Sequence, residues 1–163
     1  MLNINANIII IGLGPGEAKF LTRATWEVLE NVTEVYLRTN KHPAVREFPP
    51  HLQIHSFDYL YQRASHFEIV YQSIVEEVIR LGKRTQGVIY AVPGHPFVAE
   101  ATTPAILKEA ALQGLTTQVI DGISFLEPLF TALQIDPLPM LTIVDALDLA
   151  AAHVPPFPPH QAA

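Results

Sequence analysis

The stretch Ile8–Glu17 reads IIIIGLGPGE: four consecutive isoleucines, then a turn with glycine at 12, 14 and 16. Continuous rather than alternating apolarity suits a strand buried on both faces of a parallel sheet, and it predicts that Ile8–Ile11 is the first and central strand. Outward from it, strand and helix signals alternate. Thr22 is a candidate N-cap for a helix to Asn31, with Leu21, Ala24, Val28 and Val32 at helical spacing. Glu34–Leu37 reads as a second strand, Pro43, Pro49 and Pro50 break the next stretch, and a weak strand is expected around Leu52–Ile54. Ser65-His66-Phe67-Glu68 has the capping-box pattern before a helix from about 66 to 81 that ends at Gly82. Val88–Val92 is the next strand, and Thr103-Pro104 offers an N-cap and first-turn proline for a helix stopping near Gly114. Thr116–Ile120 is a further strand, and Ser124–Glu127 a second capping box for a helix through Leu133. The alternation predicts an α/β domain with a mostly parallel sheet flanked by helices, its ligands beyond the carboxyl ends of the strands.

Composition narrows the function. The 163 residues suit one main core, and 49% apolar against 16% charged residues excludes an extended disordered chain. Ten Lys and Arg against 16 Asp and Glu give a formal charge of −6 with no basic block, so a nucleic-acid footprint is missing. The absence of cysteine excludes disulfides and thiolate metal sites and fits a reducing compartment. Ile8–Ile11 is far short of a membrane span, and Met1–Asn7 has no positive leader. A cytoplasmic protein without membrane or nucleic-acid partners is expected.

Three turns at strand ends carry the chemistry. In Gly12–Glu17 a dinucleotide-binding loop would have glycine at position 17, where Glu17 stands, and Pro15 has no amide to offer a phosphate. Arg38-Thr39 occupies the end of the second strand, where an acid would hold a ribose, so a nicotinamide dinucleotide is disfavoured. Pro93-Gly94-His95-Pro96-Phe97-Val98 is a rigid bend whose backbone groups are free to face a ligand, with His95 either a base or a lining residue. Asp121-Gly122-Ile123-Ser124-Phe125 ends the Thr116–Ile120 strand; Ser124 is first a helix cap, and the cap also aims the helix amino terminus at the same edge. All three are expected to converge on one site.

Other clusters read as structural. Glu76-Glu77 is an isolated pair on a solvated helix face, too few carboxylates for a Mg²⁺-dependent pyrophosphohydrolase. His51 and His55 have i,i+4 spacing but come after Pro49-Pro50 outside a helix, and no metal site is expected. Asp145 and Asp148 read as helix or turn caps more than as cleft residues.

IIIIGLGPGE, AVPGHPFVAEAT and DGISFLEP together resemble the tetrapyrrole methylase family over nearly the whole chain. YLRTNKHPAV, SFDYLY and IVDALDL are similar to the methylase-like amino-terminal half of proteins carrying a MazG-type nucleoside triphosphate pyrophosphohydrolase domain. The resemblance implies S-adenosyl-L-methionine as cofactor, folded against Pro15, Gly94, His95, Val98, Ser124 and Phe125. It implies a small-molecule methyl acceptor, a tetrapyrrole in the family's namesakes, with Arg38 and Thr39 placed to meet an acidic group. It also implies a homodimer. The family commonly has Asp where this chain has His95 and Pro where it has Asp121. Family members have two lobes, so residues 1–149 are expected to be the first lobe and the proline-rich 150–163 a truncated interlobe linker, with the second lobe and any MazG-type domain further on. The resemblance leaves two readings: the amino-terminal lobe of a methyltransferase, inactive without its second lobe, or a non-catalytic cofactor- or nucleotide-binding domain regulating a pyrophosphohydrolase.

Overall fold

The computed structural model describes residues 6–63, 66–138, 141–154 and 157. It divides into two compact units, Met1–Phe125 and Leu126–Ala163. The first holds one sheet of five parallel strands in the order β3-β2-β4-β1-β5. These are β1 (Ile8–Gly12), β2 (Glu34–Leu37), β3 (Gln53–Ser56), β4 (Val88–Val92) and β5 (Thr117–Ile120). Helices α1 (Arg23–Asn31), α2 (Asp58–Tyr61), α3 (Phe67–Gly82) and α4 (Thr102–Leu112) alternate with them.

Period-two alternation along the buried strands supplies both cores. Ile8 and Ile10 of β1, with Val88 and Tyr90 of β4, pack against Ile74 and Val78 of α3 and Ile106 and Ala110 of α4. Ile9 and Ile11 turn to the other face, where Val28 and Leu29 of α1 meet Val35 and Leu37 of β2. All five residues of β1 and of β4 are buried, as the unbroken apolar runs require. Each such isoleucine contributes about 1.5–3 kcal/mol relative to leaving it exposed.

Two expectations are corrected. β1 lies inside the sheet but β4 is its central strand, because β4 returns between β2 and β1; a run of four isoleucines marks burial on both faces and not rank within the sheet. Helix α4 begins at Thr102, so Pro104 is its third residue and Ala101 its N-cap. The Glu100 carboxylate accepts from the Thr102 backbone N–H at 2.8 Å, which caps the helix one step earlier than the Thr103-Pro104 pattern implies. Pro104 still falls among the first four residues, whose amides have no intrahelical partner.

Thr22 caps α1 as expected, its hydroxyl accepting from the Thr25 N–H at 3.1 Å. Ser65 lies outside the described residues, as do Pro155, Pro156, Pro158 and Pro159 of the expected linker. In the second unit α5 spans Leu126–Leu133 and α6 Ala146–Ala151, and Asp145 caps α6 by accepting from the Leu147 N–H at 2.7 Å. No helix among the described residues is long and apolar enough to cross a membrane.

Candidate functional site

β1 and β4 are neighbours, and the chain leaves β1 toward β2 but leaves β4 toward β5, on the other side. The crevice at such a reversal, beyond the carboxyl ends, is where open α/β sheets place ligands. Here the turns after β1 and β4 are tied together. The Gly94 N–H donates to the Gly14 carbonyl at 2.7 Å, and the Gly14 N–H to the Gly94 carbonyl at 3.2 Å. Gly14 and Gly94 both have positive φ, +73° and +70°, which glycine adopts without strain.

The third turn closes on the other two. A Cβ on Gly12 would lie 2.6 Å from both the Gly122 Cα and the Gly94 carbonyl oxygen. Three backbones therefore meet where no side chain fits. Threonines of the first helical turn add links: the Thr25 hydroxyl donates to the Gly12 carbonyl at 3.1 Å and the Thr22 hydroxyl to the Asp121 carbonyl at 3.2 Å.

Around this junction lies a cavity of about 240 Å³. Gly14, Pro15, Pro93, Gly94, His95 and Val98 form part of its wall, and Arg38, His42, Ala99 and Phe125 the rest. A Cβ on Gly94 would meet nothing within 4 Å, so that glycine leaves its backbone open to a ligand. Ala99 has φ +54°, an uncommon conformation for a residue with a side chain and one that concentrates at functional sites.

Arg38 pairs with the Glu100 carboxylate, whose side chain is 1% exposed. Glu100 in turn receives the Thr102 hydroxyl, and the Thr102 and Tyr90 hydroxyls lie 3.0 Å apart. Burial pulls the Arg38 guanidinium pKa down, but the Glu100 charge, together with Tyr61, Tyr90 and Tyr71, outweighs it, and the result is raised. Burial pushes the Tyr90 hydroxyl well above its ordinary range. His42 is buried, with Nε2 3.0 Å from the Gly14 carbonyl. A carbonyl only accepts, so Nε2 carries the proton; Nδ1 is then a bare acceptor, and it has no partner among the described residues. Burial lowers the His42 pKa more than the Gly14 carbonyl raises it.

Residues 7–150 match the family model described as Tetrapyrrole (Corrin/Porphyrin) Methylases. The chain belongs to that family. Among curated relatives, the Bacillus subtilis (strain 168) protein YabN is 37% identical over 145 residues, which cover 88% of this chain and 29% of that protein. The fold is similar to a uroporphyrin-III C-methyltransferase from Thermus thermophilus, with TM-score 0.59, 19% identity, and 79% of this chain covering 53% of that one. A uroporphyrin-III C-methyl transferase structure from the same organism, complexed with S-adenyl homocysteine, gives TM-score 0.50 and 15% identity over 77% of this chain and 50% of that one. The chain thus spans less than a third of the matched relative and about half of each matched structure.

Of the six positions that the tetrapyrrole methylase pattern assigns to the cofactor, Pro15, Gly94, His95, Val98 and Phe125 line this one cavity. Ser124 is 2% exposed and is not part of its wall. Arg38 lines it too, held by Glu100. Thr39 does not; its hydroxyl donates to Asp58 at 2.7 Å. Arg38 and Thr39 meet in a second cavity of about 420 Å³ shared with Lys41, Asp58, Tyr61 and Gln62. There the Asn40 N–H and the Ser56 hydroxyl also donate to Asp58, at 2.8 and 2.9 Å.

His42, Ala99 and Glu100 were not among the sequence candidates. Glu100 had one available signal, an acid two residues before a helix-opening Thr-Thr-Pro, where a carboxylate caps free amides. Nothing in the local sequence distinguishes His42 from any other residue before a proline.

The two departures from the tetrapyrrole methylase pattern are neighbours in space. His95 Nε2 lies 3.5 Å from Asp121 Oδ1, so the imidazole of the second turn faces the carboxylate of the third. Glu34 approaches His55 at 3.6 Å, and the His55 ring stacks on Tyr36 with centroids 4.6 Å apart, in keeping with a packing role for that histidine.

Proposed function

We propose that this chain is the cofactor-binding lobe of an S-adenosylmethionine-dependent methyltransferase of the tetrapyrrole methylase type. The observation that carries the reading is the Gly12–Gly94–Gly122 junction, which holds three turns around a cavity lined by five of the six expected cofactor residues. Bound there, the cofactor would supply an electrophilic methyl group. The residues of this chain would position it and exclude water, and such chemistry demands no acid–base dyad from the lobe.

The fit is partial in a specific way. A cavity of about 240 Å³ is smaller than the ~300–1,000 Å³ of a complete ligand pocket, so it receives part of the cofactor. Gly14 and Gly94 would give the close backbone approach, and Pro15, Val98 and Phe125 the apolar contact. The rest of the cofactor, and a small-molecule acceptor such as a tetrapyrrole, would be held by a second lobe, with an acidic group of the acceptor directed toward Arg38 and Thr39. The reading includes a cytoplasmic location and a homodimer.

A second reading takes the chain as a non-catalytic regulatory domain that binds the cofactor or a nucleotide for a MazG-type pyrophosphohydrolase. It draws support from the 37% identity to a protein of which this chain spans 29% and from His95 at a position the family usually fills with an acid. Calorimetry with S-adenosylmethionine and S-adenosylhomocysteine, on the chain extended through its second lobe, separates these readings from a ligand-free fold. Saturable heat at one site is expected for both compounds; absence of heat for either, from folded protein, would overturn the methyltransferase reading. Nucleotide binding in its place would favour the second.

A further inference from the structure

We propose that Asp121, which stands behind the lining residue His95 and is not itself part of the cavity wall, is a specificity-determining residue, supplying the negative charge that makes the cavity prefer the cationic sulfonium form of the cofactor over the neutral thioether product. The inference rests on the cavity being the cofactor site.

Arg38 is the one formally charged side chain among the described residues lining the cavity, and Glu100 balances it. Without a further group the wall would offer no net charge to a cation. Asp121 adds one. Its side chain is 79% exposed, and it faces the His95 ring 3.5 Å away.

His95 is oriented for this contact from its other end. The Phe97 backbone N–H donates to His95 Nδ1 at 3.0 Å, so Nδ1 holds a lone pair and the ring proton sits on Nε2, facing the carboxylate. The ring therefore bridges a fixed amide and Asp121. The Asp121 carboxylate thus stands directly behind His95, a residue of the cavity wall. The backbone of Asp121 is fixed independently, by the Thr22 hydroxyl on its carbonyl, so replacing the side chain leaves the turn in place.

The test compares ligands of different charge at one site. S-Adenosylmethionine and S-adenosylhomocysteine are titrated by calorimetry into the chain extended through its second lobe, as wild type, Asp121→Asn and Asp121→Glu, each checked for native melting. One unit charge beside the cavity wall and largely exposed to solvent corresponds to a roughly three- to tenfold effect on a bound cation. The expected result is that Asp121→Asn weakens S-adenosylmethionine by that factor and changes S-adenosylhomocysteine less than about twofold. Asp121→Glu should retain the preference, and added salt should erode it. An equal effect of Asp121→Asn on both ligands, or on neither, would overturn the inference while leaving the site intact. A wild-type two-lobe protein that is folded and binds neither ligand would overturn the site itself.

Discussion

Gly122 lies so close to Gly94 that a Cβ placed on Gly122 would stand 2.2 Å from the Gly94 carbonyl oxygen, and 2.8 Å from the Gly12 backbone on its other side. Neither neighbour is a flexible side chain, and both belong to turns anchored on buried strands. The pair ties the third turn to the cavity, because Gly94 is part of the cavity wall.

Gly122→Ala should therefore be costly. Overpacking between backbones costs about 3 kcal/mol, and at ~2–4 °C per kcal/mol for a chain of this size a melting temperature roughly 6–12 °C lower is expected. Gly16→Ala is the control from the same glycine-rich loop. A Cβ there meets nothing within 4 Å and the residue has no positive φ, so a gain of about 0.4–1 kcal/mol is expected from the stiffer unfolded chain. Differential scanning calorimetry of the two variants reads both signs.

The Arg38–Glu100 pair gives a second outcome. Glu100→Gln removes the charge facing a guanidinium whose side chain is only 23% exposed. Breaking such a pair from one side costs about 2–3 kcal/mol, somewhat below a fully buried case because Arg38 retains some solvent. In the double variant with Arg38→Met, part of that loss should return, since no unpaired charge remains. Urea unfolding at constant m-value measures both.

His42 predicts a pH dependence with a definite sign. Burial, opposed by the Gly14 carbonyl, holds its folded pKa below the ordinary 6.5. The unfolded chain then binds the proton more readily, so this contribution is intact above about 6.5 and is lost as pH falls from there toward the folded value. Asp58 acts in the same direction at lower pH: burial raises its carboxyl, but the Asn40 N–H, the Thr39 and Ser56 hydroxyls and Lys41 outweigh that and lower it from 3.8. His42→Gln keeps a donor for Gly14 without titrating. The stability difference between wild type and His42→Gln should narrow or reverse between about pH 7 and 5, whereas a constant difference across that range would contradict a buried, uncharged His42.

Much of the fold and site was legible in the sequence because strand burial and turn chemistry are local signals. Ile8–Ile11 announced a strand buried on both faces, Glu34–Leu37 and Val88–Val92 were readable to the residue, and glycines at 12, 14, 94 and 122 marked the turns that meet. The features that escaped depend on contacts distant in sequence. Strand order is decided by which crossover packs best, so β4 at the centre left no mark in its own residues. Glu100 lies 62 positions from its partner Arg38, and the start of α4 moved with it. His42 lies 28 positions from Gly14, and its burial comes from the fold. The proximity of His95 and Asp121 was likewise invisible, although each stands out separately as a departure from the family pattern.

The most direct test of the proposed cofactor site is a crystal structure of the chain, extended through its second lobe, with S-adenosylhomocysteine. Ligand density against Gly14, Gly94, His95 and Phe125, with Ser124 not in contact, is the expected result. Density confined to the Lys41–Asp58–Tyr61 cavity or elsewhere on the sheet, with the junction cavity filled only by solvent, would contradict it.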